Sequence, residues 1–386
     1  SAAWSTSLTG DRYRWQPASA DGSVTIGISG LPCQGWLSMT PLTRCIYDAS
    51  QFGRTAWYLG HALTAARLST PVPDDLPKGL PDRKTYLADL NALLRRDREH
   101  IAAGRYRMPD DLLPSGAVFR QSTRFLADLG RINLRRMRKD GQEVFRGNTW
   151  NDGGRSQPRY YLQNFHYQTD GWLSDHSADL YDFQVNVLFN GATDAMRRQA
   201  LLPISEALNG RRIADLKLLD VACGTGRFLS AIKQNFPRLQ ATGLDLSRAY
   251  LEKTKKNLVS WSWWDVIEAS AEQLPFADGA VDIVTSVYLL HELPDKVRRQ
   301  VVREMTRVLK PNGRLILVDS LQHGDHPPFD RLLDLFPILY HEPYYTDYVD
   351  ADLQDLFETT GMKTLQIDRA FMSKIMVFEK WCDHTI

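Results

Sequence analysis

The sequence predicts an α/β protein with a parallel sheet, covered by helices on both faces, in its C-terminal half and a mainly helical region before it. From residue 216 onward, short apolar segments alternate with helical patterns, which is typical of parallel sheets. Before residue 210, apolar residues recur at the three-to-four spacing of amphipathic helices. We expect three parts: a helical accessory domain over 1–150, an aromatic segment with a long helix over 151–210, and the sheet domain over 211–386.

The N-terminal part is predicted to contain at least two helices. Trp36–Leu68 has the helical spacing of one or two helices, and Pro71-Val72-Pro73 ends it because proline cannot continue a helix. A further helix is expected over Lys84–Ala102, ending at Gly104. The polar, glycine-rich stretch 148–157 predicts a linker.

Between these helices and the sheet, residues 158–180 are rich in aromatic and polar side chains; we call them the aromatic segment. A long amphipathic helix is predicted over Ser177–Leu208.

The sheet domain is predicted from five apolar segments with helices between them. The expected strands are Leu218–Ala222, Leu239–Leu244, Val266–Ala269, Val281–Val287 and Arg314–Asp319. The expected helices are Phe228–Phe236, Ala249–Asn257 and Lys296–Leu309.

Composition excludes several classes of protein. The chain has 386 residues, 43% of them hydrophobic and 24% charged, with a net charge of +1. This balance gives no overall attraction to nucleic acid or membranes. Residues 82–140 carry fourteen Lys/Arg against eight Asp/Glu, which indicates either a solvated helical face or a surface for an anionic partner. No apolar stretch approaches the ~20 residues of a membrane helix, although peripheral membrane contact is compatible with the sequence.

The four cysteines are scattered, at Cys33, Cys45, Cys223 and Cys382. Without paired spacing they predict neither a disulfide framework nor a structural zinc site, and we expect no metal. The N-terminus has no signal-peptide pattern. A cytoplasmic location is expected, or an organelle stroma or matrix if a presequence has been removed. No feature of the sequence indicates an oligomeric state.

A glycine turn after the first strand predicts a ligand site. Leu219–Phe228 contains Asp220, Gly224 and Gly226, and glycine lets a ligand approach the backbone closely. A dinucleotide fingerprint would require a third glycine where Leu229 stands. An acid after the second strand, Asp245, suits the ribose hydroxyls of a nucleoside ligand.

Five motifs in order carry a resemblance to a known family. They are D-V-A-C-G-T-G, G-L-D-L-S, A-E-Q-L-P-F, V-D-I-V-T-S and R-V-L-K-P-N-G-R-L-I-L-V. In this order and spacing they resemble the Rossmann-like class I S-adenosylmethionine-dependent methyltransferases, in the branch of the ubiquinone/menaquinone C-methyltransferases (methyltransferase type 11). The F-H-Y-Q-T-D-G and H-E-P-Y-Y segments and the long N-terminal extension are similar to a group of long methyltransferases of photosynthetic lineages.

The resemblance implies S-adenosyl-L-methionine as cofactor, S-adenosyl-L-homocysteine as product and specific contacts. The glycine turn would hold the methionine part, Asp220 its amino group, Asp245 the ribose, and Leu246 the adenine face. The implied cofactor residues are Asp220, Ala222, Gly224, Gly226, Asp245, Leu246, Ser270, Ala271 and Glu272. Many relatives carry Asp at the position of Ser270, although a serine hydroxyl also accepts hydrogen bonds.

The segment Tyr181-Asp182, followed by Gly191 and Arg197-Arg198, resembles the helix that precedes the first strand in quinone methyltransferases. Tyr181 would cover the cofactor, although it equally suits a core position. Relatives usually carry Asn four residues after the tyrosine, where this chain has Val185.

Candidate residues for the methyl acceptor follow the fourth and fifth strands. His291 lies where open α/β sheets place their ligand crevice, and an unperturbed histidine pKa near 6.5 suits a general base. Glu292 either orients His291 or faces solvent. The 336–345 cluster, with His341, suits either an aromatic acceptor pocket or a structural plug.

The preferred interpretation is methyl transfer to carbon or oxygen of a small, aromatic or lipophilic acceptor, without nucleic acid. Three alternatives remain: a non-catalytic S-adenosylmethionine-binding module, an RNA methyltransferase and a NAD(P)-dependent oxidoreductase. The N-P-P-Y type tetrad of methyltransferases acting on base nitrogens is absent, since 286–289 reads S-V-Y-L.

Overall fold

The computed structural model describes residues 39–68, 79–147 and 157–381. The predicted helix start at Trp36, the proline segment 71–73, the linker core 148–156, Cys33 and Cys382 lie outside these residues. Within the described part, no helix combines the length and apolar character needed to cross a membrane.

The N-terminal part is helical, as expected. Its helices are α1 (Pro41–Leu68), α2 (Arg83–Ala102), α3 (Gly116–Arg138) and the short α4 (Glu143–Gly147). Helix α2 begins after Asp82, whose carboxylate accepts the Thr85 N–H at 2.6 Å, a side-chain cap that satisfies a free amide of the first turn. Helix α3 ends at Lys139, which adopts a left-handed conformation with φ 49°.

The prediction of one continuous helix over Ser177–Leu208 is wrong. The structure has three helices there: α5 (Asp175–Leu188), α6 (Thr193–Arg198) and α7 (Leu201–Leu208). Asn190 and Gly191 separate the first two with φ of 49° and 81°, which a right-handed helix cannot contain. Pro203 lacks the N–H that would bond to residue 199, and the chain turns between α6 and α7.

The C-terminal part is a seven-stranded sheet in the order β3-β2-β1-β4-β5-β7-β6, with the Rossmann-like character expected. Its strands are β1 (Lys217–Val221), β2 (Gln240–Asp245), β3 (Trp264–Glu268), β4 (Val281–Val287), β5 (Leu309–Ser320), β6 (Met362–Ala370) and β7 (Ser373–Lys380). The helices are α8 (Arg227–Asn235), α9 (Arg248–Leu258), α10 (Asp295–Val308), α11 (Asp330–Leu339), α12 (Tyr345–Tyr348) and α13 (Leu353–Glu358).

The sheet is mixed rather than wholly parallel. Strands β1 to β5 pair in parallel, whereas β7 is antiparallel to both β5 and β6. The central strand β4 is buried along nearly its whole length, because helices cover both faces of the parallel part. The order reverses between β1 and β4, and at such a switch point the loops leave the sheet in opposite directions and open a crevice.

Ion pairs join the N-terminal helices to α6 and to α8. Asp97 of α2 accepts two hydrogen bonds from the guanidinium of Arg198, at 3.0 and 2.6 Å. Asp111 pairs with Arg227, at the start of α8, and with Arg54 of α1 at 3.2 Å. The two pairs of Asp111 connect α1 directly to α8, the helix that follows the glycine turn.

Candidate functional site

The turn after β1 has the backbone that a close ligand approach requires. Ala222, Gly224 and Gly226 all have positive φ, at 58°, 57° and 71°. A Cβ on Gly224 would meet no atom within 4 Å, so free space lies against this part of the turn. A Cβ on Gly226 would instead lie 2.6 Å from Cγ2 of Thr254, which reserves this position for glycine.

Asp245, at the carboxyl end of β2, is held against the glycine turn. Its Oδ2 accepts the N–H of Gly224 and its Oδ1 accepts the N–H of Ser247, both at 2.8 Å. Burial raises the pKa of Asp245, and the two N–H groups act in the opposite direction. Each carboxylate oxygen has a second lone pair that remains available for a ligand hydroxyl.

Asp220 lies on β1 next to Thr285 of β4 in the sheet register. The Thr285 hydroxyl donates to its Oδ1 at 2.6 Å. Burial raises the pKa of Asp220 to about 7, so this carboxyl is close to half-protonated near neutral pH. A cationic group placed beside it would favour the ionised form.

An open cavity, which we call the glycine-loop cavity, lies over the glycine turn. Its empty space is about 810 Å³, including the solvent at its mouth. The predicted residues that line it are Ala222, Gly224, Asp245, Leu246, Ser270 and Ala271. Tyr160, Tyr161 and Trp172 of the aromatic segment line it as well. Trp172 stacks on Phe165 with ring centroids 4.0 Å apart, and its carbonyl accepts the Ser247 hydroxyl at 2.5 Å. The aromatic segment thus covers this cavity.

Ser270 and Glu272 form a local network at the edge of the glycine-loop cavity. The Ser270 hydroxyl donates to Oε2 of Glu272 at 3.2 Å, and the Tyr160 hydroxyl donates to the same oxygen at 2.8 Å. Glu272 therefore fastens the aromatic segment to the loop after β3, whereas Ser270 is the residue that reaches the cavity.

A second cavity, of about 1020 Å³, lies beside the first; we call it the histidine cavity. Its wall is mostly aliphatic and aromatic, and its polar members include His166, His291 and Glu292. Tyr86 of α2 also lines it, so the N-terminal region forms part of its wall. Tyr181, Tyr288 and Glu292 line both cavities and form their common boundary.

Tyr181 is positioned by helix α5 and by the glycine turn. Its ring meets the edge of Tyr250, with centroids 5.5 Å apart, and burial raises the pKa of its hydroxyl. The neighbouring Asp182 accepts the Thr225 hydroxyl at 3.0 Å from each carboxylate oxygen. This contact fixes α5 against the turn.

His291 is held by the carboxylate of Asp319, at the end of β5. Its Nδ1 lies 2.5 Å from Oδ1 of Asp319 and its Nε2 lies 3.5 Å from Oε1 of Glu292. Burial favours the neutral ring, but the charge of Asp319 outweighs it and raises the pKa of His291 well above its ordinary value. This differs from the value near 6.5 expected from the sequence, and the ring in this environment is a hydrogen-bond donor.

Two further side chains, His166 and Glu342, meet Glu292. Nδ1 of His166 lies 3.2 Å from Oε1 of Glu342, and its Nε2 lies 3.8 Å from Oε1 of Glu292. Burial lowers the pKa of His166. Burial and the neighbouring charge of Glu292 raise the pKa of Glu342 well above its ordinary value. His166 itself has a positive φ of 55°.

His341, the other predicted catalytic histidine, is not among the residues that line the two cavities. Its Nε2 lies 2.9 Å from Oε1 of Gln163, and its ring packs against Gly141, where a Cβ would lie 2.2 Å away. Burial lowers its pKa. The structure thus places His341 between the aromatic segment and α3–α4.

Sequence reasoning missed Asp319 and did not bring His166 and Glu342 together with Glu292. The position of Asp319 at the end of a predicted strand could have indicated its role. Val287 and Val318 are partners in the β4–β5 register, so an acid after Val318 reaches the same sheet edge as His291. The other two come from distant loops, and no spacing in the sequence relates them.

Comparisons with known proteins relate the sheet domain to methyltransferases. Residues 219–317 match a family described as a methyltransferase domain. The ubiquinone/menaquinone biosynthesis C-methyltransferase of Desulfotalea psychrophila is 35% identical over 149 residues, which are 38% of this chain and 56% of that protein. The demethylmenaquinone methyltransferase of Thermotoga maritima is 34% identical over 149 residues, 39% of this chain and 60% of that protein. The chain thus spans less than two thirds of these relatives.

Among solved structures, a SAM-dependent methyltransferase from Aquifex aeolicus covers 47% of this chain, with 88% of its own chain covered, at 17% identity and a TM-score of 0.35.

The glycine-loop cavity suits S-adenosylmethionine, because open space lies over Gly224, the carboxylate of Asp245 lines the cavity and aromatic rings form part of its wall. Asp220, Gly226 and Glu272 are not among the residues that line it. The C-terminal part of this chain contains a methyltransferase domain over residues 219–317, and it is similar to the ubiquinone/menaquinone C-methyltransferases.

Proposed function

We propose that this protein transfers the methyl group of S-adenosylmethionine to a carbon or oxygen atom of a small aromatic or lipophilic acceptor bound in the histidine cavity. The observation that supports this most directly is the boundary shared by the two cavities. Tyr181, Tyr288 and Glu292 line both, so molecules bound in the two cavities would meet at these side chains.

The glycine-loop cavity would hold the cofactor. Asp245 would accept hydrogen bonds from the ribose hydroxyls, Asp220 would face the amino group of the methionine part, and Leu246 would pack on the adenine. Gly224 would allow the methionine part to lie against the backbone. The bound cofactor would supply an electrophilic methyl group. A correctly aligned acceptor atom would bond to the methyl carbon as the carbon–sulfur bond breaks, and S-adenosylhomocysteine would leave.

Positioning and exclusion of water would supply much of the rate acceleration. The histidine cavity has an apolar wall, formed by side chains that include Val185, Phe189 and Phe336, which suits a flat or greasy acceptor. The aromatic segment over the glycine-loop cavity would act as a lid, because Tyr161 and Trp172 close that side.

His291 and Glu292 are the polar groups best placed to act on an acceptor. Nδ1 of His291 is bonded to Asp319, which leaves Nε2 to donate to an oxygen of the acceptor. Glu292, on the shared boundary, would accept a proton from an acceptor that must lose one. Tyr181 would position the acceptor against the cofactor, and His341 would hold the aromatic segment through Gln163.

The N-terminal region would shape the acceptor site rather than act separately, since Tyr86 lines the histidine cavity. We also place the enzyme in a reducing compartment, the cytoplasm or an organelle stroma or matrix. The cysteines in the described part of the chain, Cys45 and Cys223, are free thiols.

Calorimetric titration of S-adenosylmethionine and S-adenosylhomocysteine tests the cofactor site. We expect micromolar binding to the wild type and affinity lower by about 10- to 150-fold in Asp245→Ala, the equivalent of one charge-assisted hydrogen bond. Asp265→Ala, which removes an exposed aspartate from the neighbouring β3, is the matched control and should bind normally. Wild-type protein that binds neither compound, with or without candidate acceptors, would refute the proposal.

Turnover is tested separately with methyl-labelled cofactor and a panel of reduced quinones and substituted phenols. Label transferred to any of them supports the proposal, and mass spectrometry of the product identifies carbon or oxygen as the target. Cofactor binding without transfer across the panel would instead favour a non-catalytic binding module.

A further inference from the structure

The group of His166, Glu292 and Glu342 is an unusual feature of the histidine cavity, because two carboxylates are buried side by side. The exposed fractions of Glu292 and Glu342 are 6% and 4%. Oε2 of Glu342 and Oε2 of Glu292 are buried without a hydrogen-bond partner, and Oε1 of Glu342 has an ion-pair contact with His166 at 3.2 Å. Buried polar atoms are nearly always paired, and an unpaired buried charge is strongly unfavourable.

The groups already present do not balance this pair of carboxylates. In the described part of the chain, the basic groups within 4 Å of them are the imidazoles of His166 and His291. His291 is engaged by a third carboxylate, Asp319, at 2.5 Å. The single imidazole of His166 faces both glutamates, 3.2 Å from Glu342 and 3.8 Å from Glu292. The site therefore either shares a proton between two glutamates or binds a cation.

We propose that His166, Glu292 and Glu342 bind one divalent cation that accepts nitrogen and oxygen ligands, with Zn²⁺ as the best match and Mn²⁺ as the second. One ligand atom from each residue lies within 4.8 Å of the other two. One imidazole and two carboxylates form a donor set that both ions accept, and three protein ligands leave a coordination position open.

The distances are close to those that a bound ion would need. Ligand bonds of about 2.0–2.2 Å in a tetrahedral site separate neighbouring ligand atoms by roughly 3.4 Å. With one nitrogen of His166 and one oxygen of each glutamate, the three ligand atoms lie within 4.8 Å of one another, so side-chain movements of up to about 1.4 Å would complete the site. The contacts from Asp319 through His291 to Glu292 would orient one ligand, as outer hydrogen bonds do in metal sites.

The three ligands come from separate parts of the fold. His166 lies in the one-turn helix Phe165–Tyr167, Glu292 lies after β4, and Glu342 lies in the loop before α12. A bound ion would link the aromatic segment to the sheet. His166 and Glu292 line the histidine cavity, so the open coordination position would face that space. A role for the ion in binding an acceptor oxygen rests on the proposed function, whereas the site itself does not.

Metal binding to the full chain, after removal of bound metal with a chelator, tests the proposal without any methyl transfer. Titration with Zn²⁺ should give one ion per chain, and Mn²⁺ binding should be visible by electron paramagnetic resonance. Glu342→Gln preserves shape and removes a ligand charge, and His166→Gln removes the nitrogen ligand. Each should weaken Zn²⁺ binding by at least about 100-fold, more than the loss of an outer-shell contact.

A control variant separates this site from other histidines. His323→Ala removes a surface histidine that contacts Asp334 and Asp350. It should keep wild-type affinity. Absence of stoichiometric Zn²⁺ and Mn²⁺ binding, undiminished Zn²⁺ binding by Glu342→Gln, or loss of binding in His323→Ala would overturn the proposal. Metal binding without methyl transfer to any acceptor would leave the site established and the proposed function refuted.

Discussion

Replacing Asp97 by alanine should destabilise the protein strongly, because this carboxylate is the centre of a buried network that joins α1 and α2 to α6. Its side chain is fully buried. It accepts hydrogen bonds from the hydroxyls of Tyr47 and Tyr106 at 2.5 and 2.6 Å. It also accepts two from the Arg198 guanidinium, at 3.0 and 2.6 Å.

The size of the stability loss follows from Arg198, which Asp97→Ala would leave without its partner. The side chain of Arg198 is only 7% exposed, and Asp97, against the opposing effect of burial, raises its pKa. Arg198 would therefore remain charged and buried without its partner. Breaking a buried ion pair in this way costs about 3–5 kcal/mol. Removing both charges in Asp97→Ala/Arg198→Met should cost less than the sum of the single changes.

Urea unfolding followed by tryptophan fluorescence and circular dichroism measures this loss. Arg299→Ala is the matched control, since its pair with Asp295 is exposed and such pairs contribute little. A loss below ~1 kcal/mol in Asp97→Ala, or additive effects in the double variant, would refute the argument that this network holds the N-terminal helices against α6.

Three further predictions concern the two cavities. Burial raises the pKa of Asp220 to about 7, so the native state keeps a proton that the unfolded chain releases near pH 4. The resulting stability is complete below that pH and lost as pH rises to about 7. Urea unfolding should therefore give a lower free energy of unfolding at pH 8 than at pH 5. The same pH dependence of this free energy in Asp220→Asn would contradict the prediction. Gly226→Ala should lower the thermal unfolding midpoint, because its Cβ would lie 2.6 Å from Thr254. Gly224→Ala has free space and should mainly weaken S-adenosylmethionine binding in calorimetry; equal stability losses would argue against this distinction. Val185→Trp should fill the histidine cavity and abolish methyl transfer while cofactor binding persists, and full activity would place the acceptor elsewhere.

The parts of the fold that depend on local patterns were predicted from the sequence. The β4 bounds Val281–Val287 agree with the structure, because a strand buried on both faces is a continuous apolar run. The glycine turn and Asp245 were recognisable because the motif lies within one strand–turn–helix–strand unit. The helix over 177–208 was predicted as continuous because apolar periodicity alone does not show the positive φ at Asn190 and Gly191.

The C-terminal antiparallel pair, β6 and β7, was not predicted. The edge strand β6 exposes much of its length, and its apolar signal is correspondingly weak. The strand β7 is recognisable as part of the sheet only through its register with β5, for example Leu317 beside Met376.

Local patterns thus specified the sheet domain and its glycine turn, because the spacing of apolar residues and the need for glycine at strained backbone positions act over a few residues. The cofactor class followed from the resemblance of the five motifs to a known family. Tertiary packing decided which distant side chains share a wall of the histidine cavity. Asp319 reaches His291 through strand order, and Glu342 reaches His166 through the path of two loops. Such contacts depend on the free energy of the whole packed chain, which no short sequence pattern records.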